Sequence, residues 1–307
     1  MAKRSVREAQ VRGKRVLVRV DFNVPLEDGK VMDDWRLVAT LPTVQYLRQQ
    51  GAKTILMSHL GRPKGVEEES RLAPVGARFS QLLGAPVKTL TDCIGPEVQA
   101  AVQAMQPGEV FLLENLRFHE GEGKNDSAFA KELAVLGEVY VDDAFGTAHR
   151  PAASVVGVAQ LLPAYAGLLM ERELEMLGKA LAAPERPFVV LMGGAKVSDK
   201  LAVIQNLLEK ADELLIGGGM AYTFLKSQGK EIGSSLLEED MVQMCAGVLE
   251  KAAQTKKVLL LPEDVVVTEK LEAGAATKVV SAAEIPPGWM GADIGPKTRA
   301  AFAEHIS

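Results

Sequence analysis

The sequence contains only two cysteines, Cys93 and Cys245, which lie far apart and lack the spacing of metal ligands. This scarcity argues against a disulfide framework and against a zinc site, and it fits a reducing cytoplasm. No apolar run reaches the length of a membrane span, and the first residues lack the apolar core of a signal peptide. Aromatic residues make up only 5% of the chain, so we expect a core of Val, Leu, Ile and Ala.

An excess of positive charge is also missing, because the formal net charge is −5. This balance disfavours general nucleic-acid binding. Residues 1–170 carry equal numbers of basic and acidic residues, so the acidic excess lies in residues 171–307. Most arginines lie in the first part, and guanidinium groups bind phosphates and carboxylates through two parallel hydrogen bonds. The first part is therefore the better candidate for a small-anion site.

Two common nucleotide-binding motifs are absent. A P-loop kinase needs Gly-x-x-x-x-Gly-Lys-Ser/Thr, and the segment Gly121-Glu-Gly-Lys-Asn lacks the first glycine and the hydroxyl. A nicotinamide dehydrogenase needs Gly-x-Gly-x-x-Gly after its first strand, where this chain has Asp21-Phe-Asn23. The sequence therefore disfavours both classes of enzyme.

Short apolar runs alternate with segments that have apolar residues at helical spacing. This alternation predicts an α/β fold with parallel sheets and helices on both faces, and the length favours two domains. The predicted strands are Val16–Val20, Thr54–Met57, Val110–Leu113, Val139–Val141, Phe188–Met192, Leu214–Ile216 and Val258–Leu261. The predicted helices are Arg36–Gln50, Pro74–Leu83, Asp126–Leu136, Lys200–Lys210 and Glu238–Gln254.

Polar and basic residues follow each strand predicted in the first half. In open parallel sheets, ligands bind at the carboxyl ends of the strands. Each of these residues could by itself belong to an ordinary turn or helix cap. Cations at successive strand ends nevertheless predict an anion site. The residues concerned are Asp21, Asn23, His59, Arg62, Arg117, His149 and Arg150.

The second half contains a different pattern after its first strand. Phe188–Met192 reads as a fully buried strand, and the glycines that follow it permit close approach of a ligand. Lys196 and Lys200 then stand one helical turn apart at a predicted helix start, an arrangement that favours polyphosphate binding. The alternative is an ordinary turn with two solvated lysines. A second glycine run, Gly217–Gly219, follows the next strand.

A helical pattern from about Ser154 to Ala182 joins the two halves, with a break or kink expected at Pro163. We predict a first domain over residues 1–160, an interdomain connector helix over residues 161–182, and a second domain over residues 183–307. A plain core helix is the alternative for the connector.

These segments together resemble the phosphoglycerate kinase family of the bacterial type, in order and spacing from end to end. The matching segments are Arg19-Val-Asp21-Phe-Asn23-Val-Pro25, Ser58-His59-Leu-Gly-Arg62-Pro63, Leu113-Glu-Asn-Leu-Arg117-Phe118, Asp143-Ala-Phe-Gly-Thr-Ala-His149-Arg150, Gly193-Gly194-Ala-Lys196-Val-Ser-Asp-Lys200, Gly217-Gly-Gly-Met220, Leu261-Pro-Glu-Asp-Val-Val and Trp289-Met-Gly291-Ala-Asp-Ile-Gly.

The resemblance implies two Rossmann-like domains joined by a hinge helix that lets them close. It implies reversible phosphoryl transfer between ATP and 3-phosphoglycerate, giving ADP and 1,3-bisphosphoglycerate in glycolysis, with Mg²⁺ on the nucleotide. It also implies a cytoplasmic monomer without a nucleic-acid or membrane partner. The accepting carboxylate is ionised at neutral pH, so the reaction needs no general base.

The resemblance also implies a role for individual residues. Arg36 and Lys196 are the expected catalytic residues, and no residue is expected to bind a metal directly. The residues expected to bind 3-phosphoglycerate are Asp21, Asn23, Arg36, His59, Arg62, Arg117 and Arg150. The residues expected to bind the nucleotide are Lys196, Lys200, Gly193, Gly194, Gly217, Gly218 and Gly291.

Members of this family continue beyond a helix that resembles Lys297–Ile306. On this comparison we expect the second domain to be incomplete at its C-terminus and to expose a sheet edge. We expect the full-length parent to be an active kinase and this chain to be weak or inactive. The alternative is a remnant that binds 3-phosphoglycerate only.

Overall fold

The computed structural model describes residues 4–306 and divides into two compact units, one that ends at Gly178 and one that begins at Lys179. This division falls within the connector predicted over residues 161–182. Among the described residues, no helix combines the length and the apolar character that crossing a membrane requires.

The first unit contains a six-stranded, wholly parallel sheet in the order β5-β6-β4-β1-β7-β8, with a small antiparallel β2-β3 hairpin. Its strands are β1 (Arg15–Arg19), β2 (Leu26–Glu27), β3 (Lys30–Val31), β4 (Lys53–Met57), β5 (Val87–Thr89), β6 (Val110–Leu112), β7 (Val139–Asp142) and β8 (Ala164–Ala166). Its helices are α1 (Trp35–Gln49), α2 (Ala73–Leu83), α3 (Pro96–Gln103), α4 (Glu120–Gly123), α5 (Ser127–Ala134), α6 (Val158–Leu161) and α7 (Leu168–Ala182), which continues past Gly178.

Helices cover both faces of this sheet. Val16 and Val18 of β1 share a buried cluster with Leu37 of α1. Leu17, between them, belongs to the cluster that contains Val102 of α3. Because successive side chains of a strand point to opposite faces, the continuous apolar run of β1 supplies both cores.

The segment that leads out of the first unit differs from the predicted helix. Ala164–Ala166 form β8, which pairs with β7 at the edge of the sheet. Helix α7 begins only at Leu168. The expectation of a connector helix from residue 161 is therefore wrong for its first residues, because they extend the sheet after the break expected at Pro163.

The second unit contains a parallel three-stranded sheet (β12-β10-β9), an antiparallel sheet (β14-β13-β16) and a parallel pair (β11-β15). Its strands are β9 (Val189–Met192), β10 (Glu213–Ile216), β11 (Glu231–Ile232), β12 (Val258–Leu260), β13 (Asp264–Thr268), β14 (Thr277–Ser281), β15 (Glu284–Ile285) and β16 (Met290–Ile294). Its helices are α8 (Leu201–Lys210), α9 (Met220–Ser227), α10 (Val242–Gln254) and α11 (Pro296–Ile306).

Strand β9 is not the fully buried strand that its apolar run predicts. It forms one edge of the three-stranded sheet, and Leu191 is 58% exposed. Its neighbour β10 is the central strand, and Leu214 and Leu215 are buried there. The expectation is wrong because an apolar run indicates a strand but does not say whether helices cover both of its faces.

The predicted α/β fold with parallel sheets and flanking helices is confirmed. All seven predicted strands are present, with ends shifted by a residue or less. The antiparallel sheet of the second unit was not predicted. It packs Val265 and Val267 of β13 into a small core with Tyr222 and Leu225 of α9.

Candidate active site

Four adjacent strands of the first unit bring the predicted anion-binding residues together. Strands β6, β4, β1 and β7 are parallel neighbours, so the segments that follow them meet at one edge of the sheet. We call this group the arginine site. It comprises Asp21, Asn23, Arg36, His59, Arg117 and Arg150.

Asp21 and Arg36 form one side of the arginine site. Arg36 stands in the first turn of α1, and its Nη1 lies 2.5 Å from Oδ2 of Asp21. The arginine side chain is 50% exposed and the aspartate 17% exposed. Gly146, after β7, faces the same carboxylate, because a Cβ there would lie 3.0 Å from Asp21 Oδ2. The ion pair thus holds a solvent-accessible guanidinium above the sheet edge.

Asn23 and Arg117 connect three of the strand-end segments through Gly61. The amide of Gly61 donates to Asn23 Oδ1 at 2.9 Å, and Arg117 Nη1 donates to the carbonyl of Gly61. The backbone amide of Arg117 donates to Asn115 Oδ1 at 3.1 Å. These bonds hold the segments in place before any ligand is present.

His59, Arg117 and Arg150 line one enclosed cavity of about 90 Å³, together with Thr147. Burial and then the charge of Arg150 lower the pKa of Arg117. Arg62 is exposed and lines an adjoining open groove that also contains Arg117. His149 is exposed, and its Nε2 lies 3.4 Å from Nε of Arg150. Arg19 and Glu122 line the cavity as well, so its charged lining of three arginines and one glutamate is mainly positive, as a phosphate or carboxylate requires.

A buried arginine that the predicted site did not include stands behind His59. Arg19, the last residue of β1, is 2% exposed, and its Nη2 lies 3.1 Å from Nδ1 of His59. Burial, followed by the charge of Arg19 and of three further arginines, lowers the pKa of His59 from 6.5 to about 2. The imidazole is therefore neutral. An arginine inside a buried strand is the sequence signal that could have identified this residue.

Two further buried residues support Arg19, and sequence reasoning missed both. Arg19 Nε donates to Ser154 Oγ at 2.9 Å, and Ser154 Oγ lies 2.6 Å from Oε1 of Glu122. Ser154 is fully buried and Glu122 is 3% exposed. A buried charged residue is normally paired, so these three side chains form a connected unit.

The glycine runs of the second unit pack directly on each other. Gly218 has φ +66°, and a Cβ there would lie 2.8 Å from the amide nitrogen of Gly194. The carbonyl of Gly194 accepts a bond of 2.9 Å from the amide of Met220, the first residue of α9. Only glycine permits this backbone contact at a left-handed φ. We call Gly193, Gly194, Lys196, Lys200, Gly217 and Gly218 the glycine site.

Lys196 and Lys200 are not one turn apart on a helix, as the sequence predicts. Residues 198–200 form a turn, and α8 begins at Leu201. Lys196 is exposed in the preceding loop. A Cβ on Gly194 would lie 3.0 Å from Nζ of Lys200, so the ammonium group of Lys200 lies beside the glycine run.

Glu238 explains why Lys196 lies outside a helix. Its carboxylate accepts the backbone amides of Val197 at 2.5 Å and Ser198 at 3.1 Å, and the hydroxyl of Ser198 at 2.5 Å. The bond from the Ser198 hydroxyl is the main cause of a lowered pKa for Glu238. These contacts hold the loop that carries Lys196 outside the helix.

Gly291 lies in the antiparallel sheet but packs against the helix that follows the glycine site. A Cβ on Gly291 would overlap the hydroxyl group of Tyr222, which stands in the first turn of α9. The amide of Gly291 donates to Ser235 Oγ at 2.9 Å. Ile294, at the end of the same strand, approaches Gly217. Gly291 is thus adjacent to the glycine site rather than part of its turns.

Asp92, Cys93 and His119 form the one group of three potential metal ligands found in residues 4–306, with ligand atoms within 4.8 Å of one another. His119 Nε2 lies 2.7 Å from Asp92 Oδ1. Burial raises the pKa of the Cys93 thiol well above its usual value, which disfavours the thiolate that a metal needs. The prediction that no residue binds a metal directly stays a prediction.

Comparisons with known proteins agree with one another. A family model described as phosphoglycerate kinase matches residues 6–307. A phosphoglycerate kinase of Moorella thermoacetica is 58% identical over 304 residues, which cover 99% of this chain and 77% of the relative. The structure of phosphoglycerate kinase from Coxiella burnetii has a TM-score of 0.81 and 39% identity, and the match covers 99% of this chain and 77% of that one. The structure of phosphoglycerate kinase from Pyrococcus horikoshii has a TM-score of 0.83 and 30% identity, and the match covers 98% of this chain and 78% of that one.

Proposed function

The chain belongs to the phosphoglycerate kinase family and is a phosphotransferase of that family, and we propose that its two units divide the substrates between them. The arginine site binds 3-phosphoglycerate or 1,3-bisphosphoglycerate. The glycine site binds ATP or ADP, and Mg²⁺ arrives as part of the nucleotide substrate.

Arg36 is proposed as a catalytic residue. In the direction from ATP, the carboxylate of the acid attacks the γ-phosphorus atom, and the bond between that phosphorus and the bridging oxygen of ADP breaks. Catalysis then depends on placing two anions in line and stabilising charge on the phosphoryl group. The half-exposed guanidinium of Arg36, held by Asp21, supports this role.

The other residues of the arginine site are proposed to bind the acid. Arg117 and Arg150 line the enclosed cavity with His59, and a phosphate oxygen accepts paired hydrogen bonds from guanidinium groups. Arg62, in the adjoining groove, extends the same positive surface. Asn23 holds Gly61, so it supports the segment that carries both His59 and Arg62.

The glycine site is proposed to bind the nucleotide phosphates. Lys200 lies beside Gly194 and directly before α8, which has no side-chain N-cap. Helix α9 follows Gly219, but the amides of its first three residues already bond to carbonyls of the glycine runs. An uncapped helix start such as that of α8, together with lysine ammonium groups, favours phosphate. The exposed Lys196 is proposed as the second catalytic residue, and Gly291 as part of the wall beside Tyr222.

The observation that carries this proposal is the convergence of cations at the ends of adjacent strands in the first unit. The alternative, a remnant that binds only the acid, is not favoured, because the family match extends through the glycine site to residue 307. The closure of the two units and the cytoplasmic monomer stay predictions. Two free, buried cysteines support the location, and sedimentation velocity would test the monomer.

A coupled assay tests the proposal, with 3-phosphoglycerate and MgATP as substrates and ADP release as the readout. Calorimetric titration of each ligand into the same protein would accompany it. We expect separate binding of both ligands and a weak but measurable turnover. Binding of the acid without binding of MgADP would instead establish the remnant, and binding of neither would overturn the site assignment.

A further inference from the structure

A buried series of hydrogen bonds runs from Glu122 to the imidazole of His59. Glu122 contacts Ser154, Ser154 contacts Arg19, and Arg19 contacts His59 Nδ1, at 2.6, 2.9 and 3.1 Å. All four residues are at most 3% exposed. Three members of the series, Glu122, Arg19 and His59, line the cavity of the arginine site.

The donors and acceptors along this series have only one consistent assignment. A guanidinium group donates hydrogen bonds and cannot accept them. Ser154 Oγ must therefore accept from Arg19, and its single proton goes to Glu122 Oε1. The other oxygen of Glu122 accepts the backbone amide of Ser154 at 3.0 Å. Both carboxylate oxygens of Glu122 accept a hydrogen bond in this assignment.

The same reasoning determines which nitrogen of His59 carries the proton. Nδ1 faces a donor, Arg19 Nη2, so it must be the unprotonated nitrogen of the ring. The proton then resides on Nε2. The described residues give the His59 ring one hydrogen bond, at Nδ1, and none at Nε2. This atom is available to a ligand in the cavity.

We propose that Glu122, Ser154 and Arg19 are positioning residues that hold His59 as a neutral Nε2–H donor toward an anionic oxygen of the acid substrate. The identity of that substrate rests on the proposed function. Arg19 is also connected to the carboxyl group of Glu122 through Ser154, so its charge has a partner within the protein before a ligand binds.

The surrounding charges favour the neutral ring. The groups that influence His59 are all positive, and burial adds to their effect in lowering its pKa. A histidine that contacts a phosphate is often expected to be cationic, because the negative phosphate attracts positive charge. Here the positive charge comes from arginines, and the neutral imidazole contributes a hydrogen-bond donor with a fixed direction. The arginines concerned are Arg19, Arg117, Arg150 and Arg36.

Tyr140 holds the middle of the series in place. Its hydroxyl donates to the carbonyl of Ser154 at 2.9 Å, and its ring is buried in the core of the first unit. Ser154 itself lies in the helical turn Ala153–Gly157. The series therefore connects this turn to strand β1 and to the segment after β4.

The test is ¹⁵N NMR of the histidine side chains in the full 307-residue chain without ligand, for the parent and for Ser154→Ala. We expect the Nε2–H form of His59 in the parent throughout pH 5.5–8.5. Ser154→Ala should give a mixed or changed tautomer. The dissociation constant of 3-phosphoglycerate should rise about tenfold, as expected for loss of one charge-assisted hydrogen bond, while that of MgADP stays unchanged.

Two further variants separate positioning from general loss of structure. Glu122→Gln keeps the shape of the side chain and should disturb the His59 signals in the same direction, which covers the case in which Ser154→Ala does not fold. Glu114→Gln is the matched control. Glu114 is also buried in the first unit but bonds to Arg71, Leu72 and Asn115, so its replacement should leave the His59 signals unchanged.

The proposal is overturned if His59 in the parent is protonated or carries its proton on Nδ1. It is also overturned if both variants retain the parent tautomer, even when acid binding weakens, because the residues would then act only on structure. The tautomer is measured without substrate. A failure of 3-phosphoglycerate to bind would therefore count against the proposed function and leave the NMR result to be judged separately.

Discussion

The two candidate sites of this chain are built in different ways. The arginine site consists of side chains that are connected by hydrogen bonds, and its one buried member, His59, contacts the buried Arg19. The glycine site consists mainly of backbone, where Gly194 and Gly218 pack directly on each other. Of its two lysines, Lys196 is exposed, and the half-buried Lys200 lies beside the glycines.

This difference corresponds to the ligands proposed for each site. A small acid offers few atoms, so directional guanidinium and imidazole donors must be held in place beforehand. Nucleotide phosphates can bind to backbone amides and helix starts, for which lysines supply charge without fixed geometry. We therefore expect substitutions in the arginine site to act through side-chain chemistry, and substitutions in the glycine site to act through the backbone.

The largest effect is expected for Arg36→Ala. Loss of a guanidinium that is proposed to stabilise the transferring phosphoryl group should lower kcat about a thousandfold. The free energy of unfolding should change by only about 0–1 kcal/mol, because the ion pair with Asp21 is half exposed. Turnover assays and thermal unfolding would measure both.

Arg78→Ala is the control for that experiment. It removes a comparable ion pair with Asp34, whose side chains are 42% and 32% exposed, and which contains no residue of the arginine site. Turnover should stay close to that of the parent. A kcat for Arg36→Ala within tenfold of this control would contradict the role given to Arg36.

Asp143→Asn should change how the free energy of unfolding depends on pH, through a buried carboxyl group of the first unit. Burial raises the pKa of Asp143 from 3.8 to about 7, while its Oδ1 accepts the amides of Leu169 and Met170. The folded chain retains this proton to higher pH than the unfolded chain, so the parent loses stability as pH rises through 7. From pH 5.5 to pH 8.5, the free energy of unfolding of the variant should rise by about 2 kcal/mol relative to that of the parent.

Urea unfolding at several pH values would measure this gain. Asp126→Asn is the control, since it removes an exposed carboxylate that caps α5. Its stability relative to the parent should not change over the same pH range. A constant difference for Asp143→Asn would show that Asp143 is already ionised at pH 5.5.

Gly218→Ala tests the backbone character of the glycine site. A left-handed φ costs an alanine about 1–2 kcal/mol, and here the new Cβ would also meet Gly194 N at 2.8 Å. Gly229→Ala has the same conformational cost at φ +78° but open space around the Cβ. Both variants should lose stability, but only Gly218→Ala should weaken MgADP binding, by at least about tenfold. Equal affinities in calorimetry would contradict the proposed site.

The smallest effect is expected for Lys200→Ala. Removal of one charged contact should weaken MgADP binding about tenfold and leave the free energy of unfolding within about 0.5 kcal/mol. The effect should decrease as salt concentration rises. Lys210→Ala, an exposed lysine at the other end of α8, should bind MgADP as the parent does. An equal loss in both variants would indicate general electrostatics rather than a specific contact.

The sequence was sufficient where a local pattern determines the structure. Apolar runs such as Val16–Val20 identified the parallel strands, and the topology then placed Asp21, His59, Arg117 and Arg150 at one edge. The antiparallel sheet was missed because Val265–Val267 is a short apolar run without a clear alternation. Its pairing with β14 and β16 depends on segments further along the chain.

Contacts between distant residues account for the remaining differences. Glu238 holds the amides of Val197 and Ser198 from 41 and 40 positions away, so the helix geometry predicted for Lys196 and Lys200 was wrong. Arg19 and Ser154 are 135 positions apart, and no local pattern connects them. A long-range partner of this kind becomes visible only in the folded chain.

The most direct test of the division between the two units is an amide NMR titration of the chain with 3-phosphoglycerate and, separately, with MgADP. We predict that the acid shifts the amides of residues 21–23, 59–62, 117 and 146–150. MgADP should shift those of residues 193–200 and 217–222. Shifts by either ligand in the other unit's set, with none in its own, would contradict the account.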